Sequence, residues 1–281
     1  MTISPFDSAG RQLPAPGRPA WAALALAACA AAASAQERPE ALQALQSQGV
    51  TIVGTFPAPG GLTAWAGYAG QQPLAFYATP DGKHLILGTM LDAQGKDVTQ
   101  AALEKAVRAP MTAGVWKELE RSHWIGDGKA DAPRVVYVFT DPNCPYCNKF
   151  WADARPWVDS GKVVLRHIMV GILTPTSAGK AAALLASKDP AAALSAYERG
   201  HVAENAKVLG AGRPKPLGDG SLKPLASIPP AIGAQLDANE KLMASLRLQA
   251  TPAFAWRDAT GAVQTRTGAP PAAMAQILGP R

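Results

Sequence analysis

The stretch Val135-Val136-Tyr137-Val138-Phe139-Thr140-Asp141-Pro142-Asn143-Cys144-Pro145-Tyr146-Cys147 passes from strand to helix through a pair of cysteines. Its first five residues are a continuous β-branched and aromatic run, the pattern of a strand buried on both faces. Thr140 to Asn143 is turn chemistry. Beyond Cys147, Phe150, Trp151, Ala154 and Trp157 recur at helical spacing, and the two tryptophans read as core. Pro145 suits the first helical position, where its missing N–H costs nothing. Cys144 then falls at the cap and Cys147 one turn in, on the same face. The free backbone N–H groups and positive dipole end of the helix stabilise a thiolate on Cys144. The pattern therefore predicts an exposed, acidic attacking Cys144 and a buried, protonated, resolving Cys147. Stabilising the reduced thiolate also makes the disulfide form more oxidising.

The chain has 281 residues, 48% of them hydrophobic, enough for one large domain or two ordinary ones. Its net charge of +6 is scattered along the chain, which argues against a nucleic-acid partner. Arg11 and Arg18 precede an apolar segment, Ala20 to Ala28, that ends in Ala33-Ser34-Ala35. This is the form of a secretory signal peptide over residues 1–35. Two other readings stand beside it: a short membrane anchor, and a lipoprotein box, Leu26-Ala27-Ala28-Cys29, with Cys29 lipidated. After cleavage at residue 35 only Cys144 and Cys147 remain. A bridge between them closes too small a loop to act as a staple, so the pair points to chemistry. Zinc is the competing use, but a structural site wants four ligands. No second C-x-x-C exists, and His84, His123, His167 and His201 form no H-x₃₋₅-H pair. No metal and no cofactor are expected.

Upstream, residues 37–48 read as a short helix. Short strands are expected at 50–56, 62–69, 73–78 and 84–90, with Asp81-Gly82 as a hairpin turn. Residues 98–107 and 112–122 read as a helical connection ending near Gly126-Asp127-Gly128. Downstream, 163–170 is the next strand, followed by helices near 178–187, 191–199 and 232–246, with a loop at 213–217. A strand pair at 253–256 and 262–267 and a helix at 271–278 close the chain. The fold class is α+β.

The cysteine segment resembles the active-site segment of thioredoxin-fold Dsb proteins of the DsbC/DsbG family. Further stretches agree: Ala154-Arg155-Pro156-Trp157-Val158-Asp159-Ser160-Gly161-Lys162-Val163, Ala186-Ser187-Lys188-Asp189-Pro190 and Asn239-Glu240-Lys241-Leu242-Met243. Pro-Tyr between the cysteines fits the DsbG side of the family, since DsbC has Gly-Tyr there. The likeness covers essentially the whole chain after the signal. It implies a dimerisation domain at 36–108, a linker helix at 109–131 and a thioredoxin-like catalytic domain with a helical insertion at 132–281.

The resemblance further implies that Thr251-Pro252, just before the strand Ala253-Phe254-Ala255-Trp256, is a cis pair facing the cysteines. Thr251, Pro252, Pro145 and Tyr146 are then the substrate-binding residues. Backbone beside such a proline can pair with a substrate strand. The expected activity is periplasmic disulfide isomerisation and reduction, including reduction of sulfenylated cysteines. The implied partners are partly folded or oxidised periplasmic proteins and the membrane thiol reductase DsbD as electron donor. A DsbA-like oxidase and a non-catalytic holdase chaperone are the alternatives. The segment from Asp81 to Met90 holds a nearly continuous apolar strand, Leu85-Ile86-Leu87, that a small domain cannot easily cover. It resembles the strand through which the family dimerises, with His84 and Gly88 at matching positions. A two-fold homodimer paired through this edge is expected.

Overall fold

The computed structural model describes residues 39–281. The expected signal segment, its Ala33-Ser34-Ala35 site and Cys29 lie outside the described residues. No helix among the described residues is long and apolar enough to cross a membrane.

A short helix α1 (Glu40–Ser47) leads into four strands: β1 (Thr51–Phe56), β2 (Thr63–Ala69), β3 (Gln72–Ala78) and β4 (Leu85–Leu87). They form an antiparallel sheet in simple sequence order. One face packs Phe56, Ala64, Ala66, Tyr68 and Tyr77 against Leu103 and Val107 of α2 (Gln100–Arg121). The other packs Ile52, Trp65 and Phe76 under Leu42 of α1. β4 is shorter than the sequence suggested. After Leu87 only the Gly88 amide still reaches Ala75, at 3.3 Å, and the chain then leaves the sheet.

The two helical stretches expected around 98–122 are one helix. α2 continues through Pro110, whose carbonyl accepts a hydrogen bond from the Tyr68 hydroxyl at 3.1 Å. An interior proline removes one helical hydrogen bond and weakens the helix, but both halves are anchored by packing. Leu103 and Val107 are buried on the first sheet; Val115, Trp116 and Leu119 are buried in the second domain. The helix thus crosses residue 108, and Trp124–Asp127, within the stretch read as connection, is a strand (β5) of the second sheet.

That sheet has the order β5-β7-β6-β8-β9, with β6 (Arg134–Thr140) parallel to β7 (Val163–Met169) and the other pairs antiparallel. β8 spans Ala253–Arg257 and β9 Val263–Thr267. The apolar run of β6 fills two cores, because alternate residues face opposite ways. Val136 and Val138 meet α3 (Pro145–Asp153), α4 (Arg155–Val158) and α8 (Met274–Leu278) through Phe150, Trp157 and Ile277. Tyr137 and Phe139 meet Trp116 and Leu119 of α2 and Met243 of α7 (Pro230–Ser245). Between β7 and β8 lie α5 (Ser177–Leu185), α6 (Pro190–Gly210) and α7, the expected helical insertion. α6 is longer than its sequence pattern suggested and packs on α3. It therefore reaches the cysteines from behind.

Candidate active site

The turn after β6 is held by its own side chains. Asp141 accepts from the Asn143 amide at 2.8 Å, and its carbonyl accepts from the Cys144 amide at 3.0 Å. Cys144 then adopts extended backbone as the cap of α3, and Pro145 occupies the first turn. The Cys147 amide donates to the Cys144 sulfur at 3.2 Å. This is a helix-end donor meeting a capping acceptor, with sulfur in place of the usual oxygen.

Across the sulfur lies the segment before β8. The Thr251–Pro252 peptide is cis, and the Thr251 carbonyl sits 3.4 Å from Cys144 Sγ. β8 holds this segment in place, since Ala253 pairs with Phe139 of β6 and the Gly268 amide donates to the Pro252 carbonyl at 2.8 Å. Thr251, Pro252, Pro145, Tyr146, Cys144 and Cys147 are thus gathered at one end of the sheet.

One expectation is corrected. Cys144 is not exposed: it is 2% accessible, against 3% for Cys147. Placement at a helix end leaves one side of a sulfur open, but Thr251 closes that side. The two thiols differ in acidity instead. The Cys147 thiol, which hydrogen-bonds to Cys144, holds the Cys144 pKa below its ordinary value despite burial. The Thr251 hydroxyl, buried and otherwise unpartnered, and the amides of Cys147 and Tyr146 act in the same direction. Burial pushes Cys147 well above the usual thiol range, and the neighbouring Cys144 adds to the effect. A more acidic thiol beside a less acidic one is what an attacking and a resolving cysteine require.

Two family descriptions match the sequence: a disulfide bond isomerase protein N-terminal domain at residues 27–100, and a thioredoxin-like domain at residues 127–279. The thiol:disulfide interchange protein DsbG of Pseudomonas aeruginosa is 49% identical over 244 residues, covering 86% of this chain and 89% of that one. DsbG of Escherichia coli K12 is 41% identical over 236 residues, covering 83% and 87%. The chain belongs to the DsbG family of thiol:disulfide interchange proteins. Among solved structures, the catalytic domain of Proteus mirabilis ScsC aligns with a TM-score of 0.44 at 21% identity, over 59% of this chain and 93% of that one.

In this DsbG-family chain the cysteine pair rests on buried polar groups that sequence reasoning missed. From α6, Asn205 donates to the Pro145 carbonyl at 2.7 Å and to Asn148 at 3.0 Å. Asn148 donates to the Glu198 carboxylate at 2.7 Å. Glu198 is fully buried, and loss of hydration pushes its pKa up to about 7. On the other side, the ammonium of buried Lys180 donates to the Asn143 side chain and the Gly218 carbonyl, each at 2.7 Å. It ties the insertion loop to the residue before Cys144, and the Leu217 amide adds a 3.0 Å bond to the Asn143 carbonyl. Lys180, Glu198 and Asn205 lie tens of residues from the motif, and no local pattern announces them. His84 and Gly88 flank β4 in the first domain, away from the cysteine pair of the second sheet. His84 is exposed beside Asp81, and Gly88 lies just past the end of β4.

Proposed function

We propose that this DsbG-family protein works as a periplasmic isomerase and reductase of disulfides and of sulfenylated cysteines. The observation that carries the reading is Cys144 as the cap of α3, with the Cys147 amide 3.2 Å from its sulfur and the Thr251 carbonyl 3.4 Å from it. The Cys144 thiolate attacks a substrate disulfide, forms a mixed disulfide and releases the other substrate sulfur as thiolate. A different substrate thiolate can then attack the substrate sulfur of the mixed disulfide, which forms a new substrate disulfide and expels the Cys144 thiolate, so the substrate is isomerised with no net change of oxidation state. Alternatively Cys147 loses its proton and attacks Cys144, which releases reduced substrate and leaves a Cys144–Cys147 disulfide. With a sulfenic acid the first step forms the same mixed disulfide and expels the oxygen as water. Thr251, Pro252, Pro145 and Tyr146 border the sulfur and form the substrate contact. Two electrons from the membrane reductase DsbD return the pair to the dithiol. The first domain pairs two chains through β4, near His84 and Gly88, and a signal peptide cleaved after Ala35 delivers the protein to the periplasm.

The test is the redox state of the pair in living cells, trapped by acid and read by thiol alkylation. A mostly reduced pair is expected. A mostly oxidised pair would assign the protein to disulfide formation instead.

A further inference from the structure

The first domain touches the second at a turn that leads into the active site. β2 and β3 are joined by Gly70 and Gln71, with Ala69 opposite Gln72. Gly70 has a φ of 57°, and its backbone lies against the last residue of α7. A Cβ on Gly70 would stand 1.9 Å from the Ser245 carbonyl oxygen and 2.8 Å from its carbon. No side chain fits there, so glycine serves the close approach as well as the turn. The Gln71 side-chain carbonyl accepts from the Thr265 hydroxyl of β9 at 3.0 Å.

Both contacts lead to Thr251–Pro252. Thr251 follows Ser245 by six residues. α7 closes with the Leu248 amide on the Met243 carbonyl at 3.1 Å and the Arg247 amide on the Ala244 carbonyl at 2.9 Å. Leu246 and Leu248 then pack into the same core as Ala253 and Ala255 of β8, so the linking segment has little slack. On the other side Thr265 pairs with Ala255 and Thr267 with Ala253, and Gly268 holds the Pro252 carbonyl. The turn thus meets both the helix end before the cis segment and the strand beside it. The hairpin is itself braced on α2. Tyr68 bonds to the Pro110 carbonyl, and Gly114 leaves room for its ring: a Cβ there would be 2.4 Å from the Tyr68 hydroxyl oxygen.

We infer that Gly70 and Gln71 are positioning residues for the chemistry at Cys144, a buttress from the first domain that fixes Thr251–Pro252 over the sulfur. Neither residue touches the reacting atoms; they act through the end of α7 and through β9. The inference rests on Cys144 being the attacking thiol and deepens that reading. It gives the first domain a task in the active site besides pairing two chains.

The test follows the reaction of the full, reduced chain with oxidised glutathione across the pH range of thiol ionisation. Gly70→Ala presses a methyl group on Ser245. Gly82→Ala is the comparison, since Gly82 also sits in a first-domain turn, at a φ of 68°. Among the described residues, nothing beyond its two chain neighbours lies within 4 Å of its Cβ position. Both variants bear a similar backbone cost, and only Gly70→Ala pushes on the second domain. Gly70→Ala should react about tenfold more slowly than Gly82→Ala at neutral pH, within the range produced by a displacement of about 1 Å at a reacting centre. Its profile should also move to higher pH, because the Thr251 hydroxyl, one of the groups that hold the Cys144 pKa down, is displaced. Loss of first-domain stability alone would leave the profile in place. A Gly70→Ala profile that coincides with that of Gly82→Ala overturns the buttress. Should Gly70→Ala fail to fold, Gln71→Ala decides. It removes the bond to Thr265 without a clash and should slow the reaction about twofold with the same displacement; an unchanged profile overturns the proposal. A wild type inert toward oxidised glutathione fails as an interchange enzyme, and the buttress fails with it.

Discussion

The two sheets of this protein manage their polar groups in opposite ways. Of the buried polar side chains among the described residues, only Thr99 belongs to the first domain's core; Thr140, Asp141, Asn143, Asn148, His167, Ser177, Lys180, Glu198, Asn205 and Asn239 all lie in the second. The first domain is a nearly apolar sandwich whose last strand, β4, leaves Ile86 and Leu87 in water. Its distinguishing feature is an open edge, which suits association. The second domain covers its sheet with helices and places costly groups behind and beside one pair of thiols. Buried polar networks rigidify a site when every member is satisfied. The difference separates a domain with an open apolar edge from one whose core carries nearly all the buried polar side chains.

The sharpest way to break this contrast is at β4. Among the described residues, nothing beyond its two chain neighbours lies within 4 Å of where a Cβ on Gly88 would stand. Gly88→Arg should therefore leave the domain folded while placing a long cation at the pairing edge. Light scattering should show the wild type as a dimer and the variant as a monomer of half the mass with an unchanged circular dichroism spectrum. A dimeric variant would put the interface elsewhere.

The next largest effect belongs to the second domain. Asp141→Ala strands the amides of Ile172 and Leu173 and the Ser177 hydroxyl. It should cost about 3 kcal/mol or more in urea unfolding of the reduced protein. A loss below 1 kcal/mol would mean that the clamp is dispensable.

Glu198 gives a smaller effect with a definite sign. Its native pKa of about 7 lies above the ordinary carboxyl value of 4.5. Between those values the native state holds a proton that the unfolded state has lost, so stability falls as pH rises through this window. The contribution amounts to about 3 kcal/mol across the full range. Glu198→Gln keeps an acceptor for Asn148 and cannot ionise. The stability of the variant relative to wild type should therefore grow between pH 4.5 and pH 8. A constant difference across those pH values would contradict the burial argument.

The smallest effect returns to the first domain. Thr99 shares a 2.8 Å hydrogen bond with the Tyr77 hydroxyl, and Thr99→Val should cost about 1 kcal/mol. A cost matching that of Asp141→Ala would erase the contrast between the domains.

What the sequence made legible was local. The β6 run, the Asp-Pro turn, the cap at Cys144 and the helix behind it all follow from adjacent residues, and they stand where the pattern put them. Thr251-Pro252 needed the family resemblance, because an isolated Thr-Pro carries little signal. The rest depended on distance along the chain. Asp141 was readable as a turn residue, since one oxygen bonds within the turn. Its second oxygen binds amides 31 and 32 residues on. Cys144 was expected to be open because helix-end geometry leaves it open, and the segment that covers it arrives 107 residues later. Lys180 and Glu198 looked like ordinary helix residues, and Asn205 lay beyond the helix expected at 191–199, until α5 and α6 packed against the active-site turn and helix. In α2, the gap between the stretches read at 98–107 and 112–122 suggested two helices, whereas burial on two separate cores keeps the helix whole.

The central claim is that Cys144 attacks and Cys147 resolves, and that their difference lies in acidity and not in exposure. Trapping tests it directly. Reduced Cys144→Ala and Cys147→Ala are each mixed with an oxidised, misfolded protein, quenched in acid and run on a non-reducing gel. A mixed disulfide should accumulate with Cys147→Ala, whose attacking thiol is intact and whose resolving thiol is gone, and not with Cys144→Ala. Accumulation with Cys144→Ala, or with neither variant, would contradict the assignment.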